Sequence, residues 1–213
     1  MNEVVIVDYG MGNIKSVQRG LERVGSTAIL SSNPEVIAKA DRLVLPGVGA
    51  FADGMRGMEE AGLIDAVLRF ARTGNPLLGI CLGMQMLLEQ SQEYGNHHGL
   101  GLIPGDVIEI PQKDGDNFHR KTPHIGWNAL QPATSGDGWQ QTCLSGTTID
   151  AFFYFVHSFM AHPKSDTDLL AQCDYNGFPV TAAVKKDNVT GLQFHPEKSG
   201  EAGLNILQQF VSQ

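Results

Sequence analysis

Only three cysteines, Cys81, Cys143 and Cys173, occur among the 213 residues. So sparse and odd a count excludes a disulfide scaffold and fits a reducing compartment. Basic residues are also in short supply, with 15 Lys and Arg against 23 Asp and Glu, for a net charge of −8. Neutralising phosphates requires a Lys/Arg surplus, so a broad nucleic-acid-binding face is not expected. No apolar run approaches the roughly 18 residues of a membrane helix. The start, Met-Asn-Glu-Val-Val-Ile-Val-Asp, has neither a basic n-region nor a cleavable apolar region, so no signal peptide is expected. These absences point to a cytoplasmic protein. Metal-ligand spacing is missing too: there is no C-x-x-C, and His97-His98 is adjacent rather than spaced. Gly10-Met11-Gly12 lacks the third glycine of a dinucleotide fingerprint. Neither a metal nor a cofactor is expected.

Apolar residues make up 42% and charged residues 18%, enough for one domain over 1–213 with its own core. Glycine is abundant, at 25 residues, and many glycines follow short apolar runs. Val4-Val5-Ile6-Val7 reads as a strand buried on both faces, as in a parallel sheet. Ile14, Val17, Leu21 and Val24 then share one helical face, and Gly25 stops that helix. Thr27–Leu30, Arg42–Leu45 and Pro76–Ile80 read as further strands. Asn33 before Pro34 caps a short helix, 53–72 is helical with a break at Gly62, and Leu82–Gln90 is a run of helix formers. The first ninety residues therefore alternate strand and helix, the mark of an α/β fold with a mostly parallel sheet and helices covering it. Beyond residue 100 the pattern turns β-rich. Short runs at 106–110, 152–156, 169–173, 180–184 and 190–194 read as strands, and a helix over 201–211 closes the chain. Residues 113–150, rich in polar and turn residues, read as surface excursions.

One cysteine has a chemical context. Gly79-Ile80-Cys81-Leu82-Gly83 follows a strand and opens a helix, the G-x-nucleophile-x-G elbow with cysteine at its centre. Such a turn projects the nucleophile from the sheet rim. Helix peptides behind it favour the thiolate, and the Leu82 N–H stands where an oxyanion would form. Cys143 and Cys173 lack that context. A thiolate needs a base, and among seven histidines His195 is the candidate: it ends a strand-like run in His195-Pro196-Glu197. Glu197 can hold its imidazole tautomer, completing the logic of a Cys-His-acid triad. By itself, His-Pro-Glu would equally suit a solvent-exposed turn.

Together, Gly79–Gln85 and Gln193-Phe194-His195-Pro196-Glu197 resemble the class I, triad-type glutamine amidotransferases, from Val4 to the last helix. Three more motifs narrow the likeness: Asp8–Ser16, Leu45-Pro46-Gly47-Val48-Gly49-Ala50-Phe51, and Pro123-His124-Ile125-Gly126-Trp127-Asn128. They resemble the glutaminase subunits of imidazole glycerol phosphate synthases. Relatives serving anthranilate or guanylate synthesis usually carry a Gly-Gly-Pro type turn where Pro-Gly-Val-Gly stands here.

The resemblance implies a glutaminase that hydrolyses free glutamine through a Cys81 thioester, with His195 as acid and base and Glu197 orienting it. It places the oxyanion at Leu82 and the turn Gly47, Val48 and Gly49; without it, that turn would read as an ordinary strand-end loop. It brings Gln85, Glu93, His157, Ser158 and Phe159 to the substrate, Glu93 at its ammonium. Phe159 departs from the tyrosine often found there, and His157 by itself would read as a structural residue. A (β/α)8-barrel cyclase subunit is implied as heterodimer partner, with Asn13, Lys15, Trp127 and Asn128 at the interface. Its products would be imidazole glycerol phosphate and an aminoimidazole carboxamide ribotide, in histidine biosynthesis. The alternatives are a glutaminase for another synthase, such as that of anthranilate or pyridoxal phosphate, a cysteine hydrolase on a similar sheet, or a catalytically dead docking module.

Overall fold

The structure is a computed structural model describing residues 3–114, 118–133 and 138–213. Its first half runs β1 (Glu3–Val7), α1 (Ile14–Arg23), β2 (Thr27–Ser31), α2 (Pro34–Ala38), β3 (Leu43–Gly47), α3 (Phe51–Glu60), α4 (Ile64–Ala71), β4 (Leu77–Cys81) and α5 (Leu82–Met86). Next come β5 (Leu88–Ser91), β6 (His97–His98), β7 (Ile103–Glu109), β8 (Lys113–Asp114), β9 (Phe118–His119), β10 (His124–Ala129) and β11 (Gln131–Pro132). The chain finishes with β12 (Phe152–His157), β13 (Phe159–Pro163), β14 (Leu169–Tyr175), β15 (Phe178–Lys186), β16 (Val189–Leu192) and α6 (Gly200–Val211).

Eight strands form the central sheet in the order β11-β14-β15-β16-β4-β3-β1-β2. From β16 to β2 every pairing is parallel, while β11, β14 and β15 extend the sheet in antiparallel fashion. Side chains of a strand alternate between faces, so the continuous apolar run of β1 feeds two cores. Val4 and Ile6 join Val17 and Leu21 of α1 and Ile206, Leu207 and Phe210 of α6 on one face. Val5 and Val7 join Ile37 of α2, Phe51 and Met58 of α3, and Val67 and Phe70 of α4 on the other. The α/β architecture with helices on both faces follows from that doubled core. Asn33 caps α2 as expected, its Oδ1 accepting from the Glu35 N–H at 2.9 Å.

Three expectations need correction. The helix foreseen over Leu82–Gln90 stops at Met86, and Leu88–Ser91 is a strand. The Leu87 and Leu88 carbonyls are taken by N–H groups of residues 101–103, and β5 pairs with β7 in a second sheet, β13-β7-β5-β6. Tertiary hydrogen bonds thus override good helix propensity. β13 went unforeseen, and the strand placed at 106–110 starts at Ile103. Nor is 113–150 only a surface excursion. Within it β10 pairs with β12, and Arg120, His124, Leu130, Trp139, Cys143 and Leu144 are buried. The Trp139 indole N–H donates to the Leu170 carbonyl at 3.1 Å, so the polar-looking segment closes one core.

Register fixes where the chemistry falls. Gly47 of β3 lies opposite Cys81 of β4, and Leu192 of β16 opposite Ile80. Three parallel strands therefore end side by side, where open α/β sheets form their clefts. Gly83 lets α5 turn back onto β3: a Cβ there would stand 1.8 Å from the Leu45 carbonyl oxygen. Gly83→Ala should therefore destabilise the protein by about 3 kcal/mol or more, the upper range for overpacking, measured by denaturant unfolding. A loss under about 0.5 kcal/mol, as at an ordinary surface site, would contradict this packing.

Candidate functional site

Cys81 sits at the hinge between β4 and α5 with φ 55° and ψ −112°. A non-glycine residue there stores roughly 1–3 kcal/mol, sustained only where the surroundings over-determine it. They do so here by crowding: a Cβ at Gly79 would lie 2.8 Å from the Gly83 carbonyl oxygen and from the Met84 nitrogen. Both glycines of the elbow are thus steric requirements. The side chain of Gln193 reaches the sulfur, its Nε2 donating to Sγ at 3.8 Å.

His195 follows β16 and enters the cleft from the neighbouring strand end. Its backbone N–H donates to the Tyr154 carbonyl at 3.0 Å, and its own carbonyl accepts from the Ser199 hydroxyl at 2.7 Å. Nδ1 meets Glu197 Oε1 at 2.8 Å, with the two side chains 2% and 0% exposed. That bond fixes Nδ1 as the protonated nitrogen and turns Nε2 to the cleft. Nε2 and Glu197 Oε2 are buried without a hydrogen-bond partner among the described residues. Burial alone would lower the imidazole pKa, but the interactions with Cys81 and Glu197 outweigh it and raise it to about 9.

Gly47 is buried, and the Tyr9 hydroxyl beside it donates to the Pro46 carbonyl at 2.8 Å. Burial, and next the Cys81 charge, push that phenol well above its usual range. Gly49 has φ +108°, a conformation open chiefly to glycine, and its turn leads into α3. Gln85 Nε2 donates to the Phe159 carbonyl at 2.9 Å and to Gln193 Oε1 at 3.1 Å. Glu93 Oε2 accepts the Phe51 N–H at 2.6 Å.

These groups surround a cleft of about 290 Å³ lined by Val48, Gly49, Cys81, Leu82, Gln85, Glu93, Pro123, Val156, His157, Ser158, Phe159 and His195. Of the twelve nucleophile, base, oxyanion and substrate residues expected from the sequence, only Gly47 and Glu197 do not line it, and both support residues that do. A larger hollow, about 780 Å³, is bounded by Gly138, Thr142, Asp168 and Lys185–Asp187, with no cysteine or histidine among the described residues of its walls. Volume favours that hollow, but chemistry favours the cleft.

His157 is buried and paired. Its Nε2 lies 3.0 Å from His124 Nδ1, and its Nδ1 lies 2.8 Å from the Phe159 carbonyl. His124 Nε2 lies 2.8 Å from Asn128 Oδ1, while Asn128 Nδ2 donates to the Asp174 carbonyl. Burial lowers the pKa of His157 to about 3 and lowers that of His124. Both rings of the dyad are thus held neutral at the cleft wall, braced by the Phe159 carbonyl and Asn128. Asn128, expected at a partner interface, has both ends of its amide bonded within the chain. Trp127 does stand out, 52% exposed, and Lys15 is exposed at the start of α1. Asn13, half-buried, occupies the N-cap position of α1 and makes no side-chain cap bond.

Sequence reasoning missed Tyr9, Gln193 and His124 as supports of the site. Each lies inside a motif it quoted, but their roles come from contacts 37, 112 and 33 residues away. Cys143 and Cys173 are buried, which pushes both thiols up to about 12. Among the described residues no group of three His, Cys, Asp or Glu could hold a metal ion, and no helix is long and apolar enough to cross a membrane.

The profile of the family Glutamine amidotransferase class-I matches residues 5–213. The chain is 50% identical over 211 residues to the Legionella pneumophila (strain Lens) imidazole glycerol phosphate synthase subunit HisH 1, covering 99% of each. It is 43% identical to the HisH subunit of Geobacter sulfurreducens, covering 99% of this chain and 98% of that one. Against HisH of Methanothermobacter thermautotrophicus it is 46% identical, covering 98% and 97%. Among solved structures, a glutamine amidotransferase superposes with TM-score 0.72 at 19% identity, covering 98% and 99%. The PurLQS structure from Thermotoga maritima superposes with TM-score 0.70 at 20% identity, covering 99% and 97%. At such identities the superpositions speak for the fold alone.

The raised His195 pKa sets a pH prediction. A group raised from 6.5 to about 9 adds stability that is complete below about 6.5 and is lost as pH rises through about 9. Glu197→Gln removes the carboxylate charge, so it should bring the His195 midpoint down from about 9 and flatten that loss of stability. Histidine NMR titration beside unfolding at each pH checks this. An unchanged midpoint would mean that Glu197 does not hold the imidazolium.

Proposed function

The chain belongs to the class-I glutamine amidotransferase family, and on that premise we propose that it is the glutaminase subunit of an imidazole glycerol phosphate synthase. The observation carrying this reading is the union of the strained Cys81 elbow with the buried His195–Glu197 pair at one cleft. The full-length likeness to HisH subunits supports the particular synthase.

Glutamine enters with its side-chain amide beside Cys81. The sulfur attacks the amide carbon, and the oxyanion that forms is held by the Leu82 N–H and the turn Gly47-Val48-Gly49. The thiol proton, carried on His195 Nε2, passes to the leaving nitrogen as the C–N bond breaks. Ammonia departs and a γ-glutamyl thioester remains on Cys81. His195, now neutral, takes a proton from water, the hydroxide adds to the thioester carbon, and glutamate leaves as the C–S bond breaks. Glu197 orients the ring throughout. Glu93 meets the substrate ammonium, and Gln85, His157, Ser158 and Phe159 shape the floor and wall. The helix behind Cys81 is only five residues long, so the His195 imidazolium is the main cation stabilising the thiolate.

Ammonia released to water would protonate and lose its nucleophilicity, so it must pass directly to a synthase. β10 and β12 carry a surface suited to the cyclase. Ile125 faces Val156, Trp127 faces Tyr154 and Ala129 faces Phe152 across the pair. Ile125, Trp127 and Phe152 are 57%, 52% and 58% exposed, an apolar stripe beside the cleft wall formed by Pro123 and Val156. A (β/α)8-barrel cyclase subunit docked there as a heterodimer would close the cleft and receive the ammonia. It would use the ammonia to form imidazole glycerol phosphate and the aminoimidazole carboxamide ribotide.

Two predictions follow the division of labour. Cys81→Ala, assayed with the cyclase and its ribonucleotide substrate, should lower glutamine-dependent turnover by about 10⁴-fold, yet leave ammonia-dependent turnover intact. Loss of both activities would contradict it. Trp127→Ala should weaken assembly by about 2 kcal/mol in a binding titration, while the melting point of the isolated subunit stays nearly constant. A large fall in melting point with unchanged assembly would place Trp127 in the core instead.

A further inference from the structure

The turn that would hold the oxyanion is suspended between two fixed points. At one end Gly47 is paired with Cys81, and a Cβ there would meet the Tyr9 hydroxyl at 2.7 Å and Leu82 Cβ at 2.9 Å. At the other end Phe51, fully buried, begins α3, and Gly54 packs this helix against Leu82 and Met86. Between them lie Val48, Gly49 and Ala50. Ala50 occupies the N-cap position of α3 and makes no side-chain cap bond, so the local sequence does not anchor the helix start. The cap comes from 42 residues away: Glu93 Oε2 accepts the Phe51 N–H at 2.6 Å. A carboxylate on a helix N–H gains both a charge-assisted hydrogen bond and the favourable end of the helix dipole. The backbone of Glu93 is held in turn, its N–H donating to the Ser91 hydroxyl at 3.1 Å. Glu93 also lines the cleft and is half-buried, and it is Oε2 that bonds Phe51.

We propose that Glu93 is a positioning residue for the oxyanion turn as well as a substrate contact, one carboxylate taking the amine of glutamine on Oε1 and the Phe51 amide on Oε2. The proposal rests on the glutaminase reading. It makes the presence of the α-ammonium and the placement of residues 47–50 depend on one side chain. A molecule without that amine would sit above a turn whose far anchor has no substrate contact.

The two roles separate by substitution. Glu93→Gln keeps a carbonyl oxygen to accept from Phe51 but loses the charge that meets the ammonium. Glu93→Ala loses both. Ala50→Ser in the Glu93→Ala background restores a cap locally without restoring the charge. Steady-state glutamine kinetics of the assembled synthase give KM and kcat for each, with ammonia-dependent turnover measured in parallel. Glu93→Gln should raise KM about thirtyfold with kcat within about threefold, because a charged contact is lost and the cap survives. Glu93→Ala should raise KM similarly and also lower kcat by about tenfold or more, and Ala50→Ser should recover most of that kcat while KM stays high. Equal kcat in Glu93→Gln and Glu93→Ala, or no recovery with Ala50→Ser, would overturn the positioning role. Failure of the glutaminase reading would look different, as wild-type assembly showing turnover with ammonia and none with glutamine.

Discussion

The site depends on a carbonyl oxygen and a missing methyl group. Because Gly83 has no Cβ, α5 turns back onto β3 across the Leu45 carbonyl, where a side chain would stand at 1.8 Å. That approach bends the chain so tightly at Cys81 that φ becomes 55°. The sulfur is then presented at the rim, between the ends of β3 and β16, each of which brings one other component. From β3 comes the glycine turn 47–49, and from β16 the run to His195 and Glu197. Backbone sterics thus arrange the chemistry before any side chain takes part in it.

Electrostatics completes the arrangement. A buried imidazole would ordinarily be neutral, yet Glu197 behind it and Cys81 before it hold the proton on His195 to about pH 9. The other buried histidine in the cleft, His157, has the opposite environment. Burial and the neighbouring His124 and His195 imidazoles drive its pKa down to about 3. Two histidines on one cleft thereby differ in charge, and the difference lies in whether an acid stands behind the ring.

Much of this was legible in the sequence because it is local. The elbow is five consecutive residues, His195 and Glu197 are two apart, and β1 to β4 announce themselves as short apolar runs closed by turns. What escaped notice depends on distant partners. Helix formers at Leu88–Gln90 become a strand because β7 offers a parallel edge and residues 101–103 claim the Leu87 and Leu88 carbonyls. The polar stretch at 113–150 hides Trp139, Cys143 and Leu144 in a core, since its few apolar residues have no period to betray burial. The Asn128 amide, bonded to His124, likewise reaches the Asp174 carbonyl on a strand far along the chain. The fold class and the short motifs that meet at the cleft were thus readable, and the scaffold of tertiary hydrogen bonds that aims them was not.

The central claim is that Cys81 alone is the nucleophile and that the cleft around it binds glutamine. Reaction of the chain, assembled with a cyclase subunit, with a diazoketone analogue of glutamine tests it most directly. Intact-mass measurement and peptide mapping should find one adduct, on Cys81, suppressed by excess glutamine, with the buried Cys143 and Cys173 unmodified. An unreactive Cys81, or an adduct on another residue, would contradict the account.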